Sequence, residues 1–285
     1  MEIELDLPNY LYNKPDDYWK QQRMEGLNKD EVGIYKMLDT LKTVRKFQQL
    51  YNLGATLATG YWELFEGFDY GPLFSSFGSN DVEGTRIRIG GRTFFNQNDS
   101  WRIQAFMAYG FKDEKIKYGI GGKWMVDKKN RIIISAGNRR DVEQTGVSLT
   151  TENDVLSRSF ASAAFFTRGE NFRLTNINMT NLAMDIEPIH NLNFRIGATY
   201  KTLKSAAPDL FNVNYFDENG VEKSDIKQTE LDLAIKYTPG RKSAGFGVER
   251  SVSNEGRHPI LYFSYTKGLK NAFKSDFNYD KLQLS

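Results

Sequence analysis

The sequence predicts an all-β protein, an antiparallel transmembrane β-barrel with about 10–12 strands present, a set expected to be incomplete, and a short N-terminal helical segment. Three observations predict it. Between Gly84 and Val126, three runs of about eleven residues alternate polar and apolar at every position, joined by the polar turns NQNDS and KDEK; period two over that length means β-strand. The runs have the length of a tilted strand crossing a bilayer, roughly nine to eleven residues, whereas strands in soluble sheets are usually about five or six. Their apolar faces carry aromatics near the ends, as the interfacial girdles of outer-membrane barrels do.

Composition is compatible with this reading. The 285 residues are 40% hydrophobic and 26% charged, and no run of eighteen apolar residues occurs, so the sequence holds no transmembrane helix. Barrel strands look only moderately hydrophobic, and that absence does not touch them. Aromatics at 14% and 24 glycines fit girdles and closely paired strands, although a soluble β-rich protein with a large core would share the bias. The net charge of +2 comes from dispersed residues with no basic cluster, so no nucleic acid partner is expected. Cysteine is absent, which excludes disulfides and thiolate metal sites. Met1 is followed by Glu-Ile-Glu-Leu-Asp, which has no features of a signal peptide. An exported barrel would need one, so the chain is expected to be a mature form or a fragment.

Residues 1–52 read as a helical lead-in on the periplasmic side, and 53–285 as the barrel, truncated at its C-terminus. Pro15-Asp16-Asp17 opens a short capped helix. Asn28 offers an N-cap with Glu31 three residues on, and Ile34, Leu38, Leu41 and Val44 follow at helical spacing, a helix of about twenty residues. From Leu53 the period changes to two, and a first strand runs to about Leu64. Residues 65–83 are a long connection, and the three strands of 84–126 follow. A fifth strand covers 131–139, the pattern lapses to Asp154, and 172–186 alternates imperfectly, as a bulge would make it. Clear strands return at 192–203 and 227–237, separated by a loop with Asn219-Gly220 near its tip. Pro239-Gly240 turns into a strand at 244–249, and 259–268 and 276–285 complete eleven candidates. Short connections (96–100, 127–130, 188–191, 239–243, 269–275) alternate with long ones (65–83, 140–170, 204–226), as periplasmic turns alternate with external loops. Two short connections, 112–115 and 254–258, fall on the long side.

The polar faces carry the functional expectation. Arg86, Arg88, Arg92, Lys117, Lys123, Arg195, Lys201 and Lys236 share one inward set with Glu230, Asp232 and Glu249. Charge in a dry core costs several kcal/mol unless paired, so these residues suit a wet or salt-bridged lumen. An open sheet with one solvated face would explain each strand singly, but it would leave the opposite apolar face without a cover. That face carries Phe95, Trp101, Tyr109, Phe111, Tyr118, Trp124, Tyr200 and Tyr237 as lipid-interface aromatics.

Signals of chemistry are weak. His190 and His258 sit in turns, no metal-ligand cluster is visible, and no G-x-S-x-G elbow occurs. Gly119-Ile120-Gly121-Gly122 lies inside a strand and lacks the helix a phosphate loop needs. Glu230 and Asp232 stand about 7 Å apart on one strand face; that could serve acid–base work, but Lys236 beside them favours an ion network. No catalytic residue, metal or cofactor is expected.

Several stretches together resemble a known family: DDYWKQQRMEGLNKDEVGIYKMLDTL, SNDVEGTRIRIGGRTFF, WRIQAFMAYGFKDEKIKYGIGGKW, and HPILYFSYTKGLK followed by SDFNYDKLQL. The chain resembles a Bacteroidetes outer-membrane family of unknown function, whose longer members carry an N-terminal carboxypeptidase-regulatory-like domain and a periplasmic segment before the barrel. EGTRIRIGGRT is the most specific part, and the resemblance covers nearly the whole chain. It implies a Gram-negative outer-membrane location, a barrel distantly similar to surface-antigen and outer-membrane assembly barrels, and no enzymatic activity. These 285 residues do not include the longer members' signal and accessory domain and run to LQLS without a terminal aromatic, so an incomplete reading frame or a cut fragment is expected. The expected function is a non-enzymatic channel, transport or assembly component with a charged lumen, its partners outer-membrane lipid and other envelope proteins. The alternatives are an outer-membrane hydrolase using lumen or rim carboxylates, and a soluble periplasmic or surface β-sheet binding module.

Overall fold

The alternating runs form strands. The structure, a computed structural model, describes residues 28–144, 173–252 and 259–285, together with Tyr18, Gln21, Gly26 and Leu156. It divides into two compact units, residues 1–59 and 60–285.

In the first unit, helix α1 (Lys29–Thr43) starts as its sequence dictates. Asn28 Oδ1 accepts the Glu31 amide and Glu31 Oε2 accepts the Asn28 amide, both at 2.8 Å, a reciprocal capping box. The helix stops at Val44, whose backbone is extended, and α2 (Arg45–Thr59) follows at once. The strand expected from Leu53 is therefore corrected. Leu53, Ala55, Leu57 and Thr59 do alternate, but Phe47, Leu50, Tyr51, Gly54 and Leu57 also make a helical stripe. Over so few residues the two periods overlap, and the helix wins. The helix expected near Pro15 falls on residues outside the described set, apart from Tyr18 and Gln21, which are helical.

In the second unit, a 12-stranded antiparallel sheet follows the chain. It contains β1 (Trp62–Phe65), β2 (Gly67–Tyr70), β3 (Phe77–Asn80), β4 (Gly84–Phe94), β5 (Trp101–Gly110), β6 (Lys115–Asp127), β7 (Ile132–Gln144), β8 (Leu174–Ile189) and β9 (Leu192–Ser205). A two-stranded hairpin, β10 (Tyr215–Phe216) with β11 (Glu222–Lys223), stands in the next connection. The sheet resumes with β12 (Asp225–Tyr237) and closes its order with β15 (Leu261–Gly268) and β16 (Tyr279–Leu284). Between β12 and β15 a second small sheet pairs β13 (Ser243–Ala244) with β14 (Ser251–Val252). Sequence neighbours pair throughout, except that β3 packs beside β2 on the edge of β4.

Two further expectations are corrected. Residues 244–249 do not join the main sheet: Phe246 and Val248 alternate, but Val248 is buried beside Met125 and Ile133 on the inner side. The connection from β12 to β15 is therefore long, although it leaves on the side of the short turns, and 269–278 moves to the other side. Residues 65–83 are not loop throughout, since they hold β2 and β3. No bulge interrupts β7 against β8; the irregularity lies between Ile186 and Ile189 against β9. The connection expected at 140–170 is corrected as far as Gln144, which ends β7; of the rest only Leu156 is among the described residues, and the expected strand start at 172 is not. The turn at Asn219-Gly220 is present, with Gly220 at φ +71° and its amide donating to Asp217 O.

The sheet is curled. Three inter-strand steps separate β4 from β7, about 14 Å in a flat sheet, yet Arg86 Nη1 lies 2.6 Å from Asp141 Oδ1. An arginine and an aspartate span that gap only across a concave face. Burial is inverted between the two faces. The concave side holds Arg86, Arg102, Lys117, Arg139, Asp141, Glu143, Glu230 and Asp232, all buried. The convex side exposes Ile89, Ile103, Met107, Ile120, Leu182, Ile196, Leu231 and Leu233, among others, each about half accessible.

Candidate functional site: the charged interior

The candidate site is the concave wall, where charged residues meet in four groups. At the end of the long connections, Arg86 from β4 binds Asp141 of β7 at 2.6 Å and Glu83 of the β3–β4 turn at 2.9 Å. Lys117 of β6 reaches the same Glu83 at 3.0 Å and Asp113 of the β5–β6 turn at 2.7 Å. Arg139 bonds Glu143 at 3.2 Å, four residues on along the same strand. Val82, Val142 and Leu174 form a buried apolar cluster at this end, and the charged group itself is almost without solvent.

At the end of the short turns the acid comes from the inserted segment. Glu249 lies within 3.7 Å of Arg92 and of Lys123, receives a close bond from Arg102 and accepts from Gln104 at 3.5 Å. The segment is held by Val248 N to Asp99 O (2.8 Å), Phe246 N to Asn98 Oδ1 (2.9 Å), and Arg131 Nη1 to Gly247 O (2.8 Å). At Gly247 a Cβ would stand 2.3 Å from Gln97 O, so only glycine allows this approach. Arg92 also binds Asp69 at 3.1 Å and lies 3.7 Å from the Tyr61 ring centroid, while burial pushes the Tyr61 phenol above its usual pKa.

The third group joins turns and strands: Arg131 and Arg250 both grip Glu187, at 3.2 and 2.8 Å, and Arg195 binds Asp185 at 3.1 Å. Burial, then the neighbouring Arg250, push the Arg131 guanidinium down to about 10. A cavity of about 230 Å³ lies among Lys123, Arg131, Asp185, Glu187, Arg195 and Val248. In the fourth group Lys201 Nζ donates to both oxygens of Glu230, at 2.7 and 2.8 Å, Tyr279 donates to Glu230 as well, and Asp232 accepts from Thr266 at 2.7 Å.

The family described as "family of unknown function (DUF5686) C-terminal domain" matches residues 50–285. The chain belongs to this family. No curated protein and no solved structure matches the chain. The DUF5686 C-terminal domain thus spans the last part of α2 and all of the sheet.

Of the residues expected on the inner wall of the DUF5686 domain, Arg86, Lys117, Lys201, Glu230 and Asp232 are buried there; Arg92, Lys123 and Arg195 are half-buried and paired. Arg88 is half-buried, with Nη1 bonding Ser75 Oγ at 2.8 Å and its guanidinium 4.5 Å from the Phe106 ring. Lys236 lines a separate concavity with Glu187 and Arg250. Glu249 reaches the interior on the inserted segment rather than on a strand, which corrects its expected setting. The aromatics Phe95, Trp101, Tyr109, Phe111, Tyr118, Trp124 and Tyr237 are exposed on the convex side, whereas Tyr200 is half-buried beside the Phe273 ring. Sequence reasoning missed Asp69, Glu83, Asp113, Asp141, Glu143 and Glu187. Arg102 had the right parity to be found.

Little in the arrangement is poised for chemistry. Among the described residues no group of three or more histidines and acids could hold a metal ion. Glu230 spends its oxygens on Lys201 and Tyr279, so the pair with Asp232 has the bonding of a structural network. His190 is exposed, its Nδ1 3.9 Å from Glu187; His258 lies outside the described residues.

Proposed function

We propose that the DUF5686 domain is an outer-membrane β-barrel of a Gram-negative envelope, non-enzymatic, acting in transport or assembly through a charged lumen. One observation carries the reading: charged residues are buried on the concave side while most of the convex side is apolar and exposed. In water that distribution is unfavourable, since each large apolar side chain left uncovered forgoes about 1.5–3 kcal/mol. In a bilayer it is the required one. The outward run Trp101–Phe111 would span about 34 Å along the strand, and about 25 Å at the tilt usual for such barrels, the height of their apolar band.

The inserted segment supports a narrower task. Glu249 and Val248 fill the interior at the short-turn end, and ion pairs brace it at the other. Such a lumen suits a component that holds or guides a partner, or admits a solute only when the segment moves, better than a wide diffusion pore.

The test is extraction of full-length protein from cells expressing it with an export signal. Expected are retention in the membrane after an alkaline wash, release only by detergent, and a heat-dependent shift on a denaturing gel. Recovery in the aqueous fraction without that shift would favour a soluble sheet module and overturn the proposal.

A further inference from the structure

The convex wall is not apolar throughout. On β7, β8 and β9, the outward positions change character towards the long connections. Ile134 gives way to Asn138 and Arg140, Leu182 to Thr180, Asn178 and Asn176, and Ile196 to Thr202 and Lys204. The nearer of these polar rows satisfies itself: Asn138 Nδ2 donates to Thr180 Oγ1 at 2.8 Å and to Asn178 Oδ1 at 3.2 Å. The next does not. Among the described residues Arg140, which is exposed, has no ion pair, and Lys204, 64% exposed, has Asp225 alone, at 3.8 Å. A concavity of about 340 Å³ opens here, lined by Lys115, Arg140, Asn176, Asn178, Thr202 and Lys204. Its acid, Asp141, is already committed to Arg86. Ile116 forms its apolar side, and Tyr118, paired with Arg140 across the ladder, continues that side into the exposed wall.

We propose that this concavity binds the phosphate-bearing headgroup of an anionic membrane lipid, an inference that rests on the membrane reading above. A guanidinium, ammonium groups and side-chain amides are the donors a phosphate diester needs. The volume is that of a small-ligand site. The adjoining Ile116 and Tyr118 explain why a lipid fits better than free phosphate: acyl chains continue onto the apolar wall while the headgroup stays among the donors.

The full chain purified in a neutral maltoside detergent can be examined by native mass spectrometry with added dioleoyl phosphatidylglycerol, dioleoyl phosphatidylcholine or inorganic phosphate. Expected is preferential retention of phosphatidylglycerol, reduced about tenfold in the Arg140→Gln/Lys204→Gln variant, a loss of about 1.4 kcal/mol shared between the two cations. The variant's heat-dependent gel shift should be unchanged, showing that it folds. Equal retention of both lipids, or undiminished phosphatidylglycerol on the variant, overturns the proposal. Displacement by equimolar inorganic phosphate would mark a free-anion site, and a dimer lost in the variant would mark a self-association surface; both overturn it too. Extraction of the wild-type chain is independent of this site, so the two readings fail separately.

Discussion

The two ends of the charged interior solve one problem differently. At the long-connection end, three cations (Arg86, Lys117, Arg139) meet four carboxylates (Glu83, Asp113, Asp141, Glu143) supplied by strands and tight turns close by, and Arg86, Glu83, Asp141 and Glu143 are at most 2% accessible. At the short-turn end, Arg92, Arg102 and Lys123 share Glu249, delivered on a segment from far along the chain, and Glu249 and Lys123 keep 31% and 27% of their side-chain surface. The first group is dry and fixed by the sheet; the second is wetted and depends on a loop. Charge in a dry place is worth little as a pair and costs much when broken, so the ends should respond unequally to the same kind of mutation.

The largest effect is expected from Arg86→Met. It removes the cation that, among the described residues, bridges Glu83 and Asp141, takes away the bidentate contact to Asp141, and should cost about 3–5 kcal/mol. Urea unfolding in detergent micelles measures it. Arg86→Met/Asp141→Asn, which neutralises both sides, should recover most of the loss. If the double variant is no better than the single, the cost is lost packing and the group is not dry in the electrostatic sense.

Next comes a charge moved to the other face. Leu233 is half-exposed on the convex side of β12, with the inward Asp232 beside it in sequence. On a lipid-facing wall Leu233→Arg should cost about 2–4 kcal/mol in folding into vesicles. On a water-facing wall the same change would cost almost nothing. A neutral outcome in vesicles would place the apolar face in water, and with it undo the contrast between inside and outside.

What was legible in the sequence follows the same division. Arg86 and Lys117 could be assigned to the interior because each sits in an unbroken alternation with Ile87 and Ile116 beside it. Their partners could not: Glu83 and Asp113 lie in turns, which have no period, and Asp141 and Glu143 lie where alternation fails because Val142 is covered on the outer side as well. Arg92 was legible and Asp69 was not, since β2 is a four-residue strand inside a glycine-rich stretch. At the other end, Phe246 and Val248 imitated a strand. Nothing local distinguishes a short alternation that pairs in a ladder from one that packs Val248 under Met125; the difference lies in Gln97, Asn98 and Asp99, about 150 residues away in sequence.

Glu249→Gln sharpens the contrast between the ends. The amide keeps an acceptor for Arg102 but withdraws the negative charge shared by three cations, two of which retain Asp69 or Asp99. With water at hand the expected cost is about 1–2 kcal/mol, well below that of Arg86→Met. Hydrogen exchange should speed up first at the Phe246 and Val248 amides. A global cost equal to that at Arg86 would mean the short-turn end is as dry as the other.

The smallest effect belongs to a half-buried carboxylate in a surface hairpin. Asp217, in the turn between β10 and β11, accepts the amides of Asn219 and Val221 at 2.9 Å each. The Val221 amide above all, with Asn219 and Lys223, holds its carboxyl below the usual aspartate range. A carboxylate with a depressed folded pKa adds stability above its unfolded pKa, about 3.9, and loses it as pH falls through the folded value. The turn should therefore keep its protection from pH 7 down to about 4 and lose it below. Hydrogen exchange at Val221, corrected for its intrinsic rate, reads this directly. Asp217→Asn, which retains an acceptor but cannot titrate, should show no such step. A step that persists in the variant would move the titration to another group, and Asp276, which lies 3.8 Å from the same Lys223, would be the next to replace.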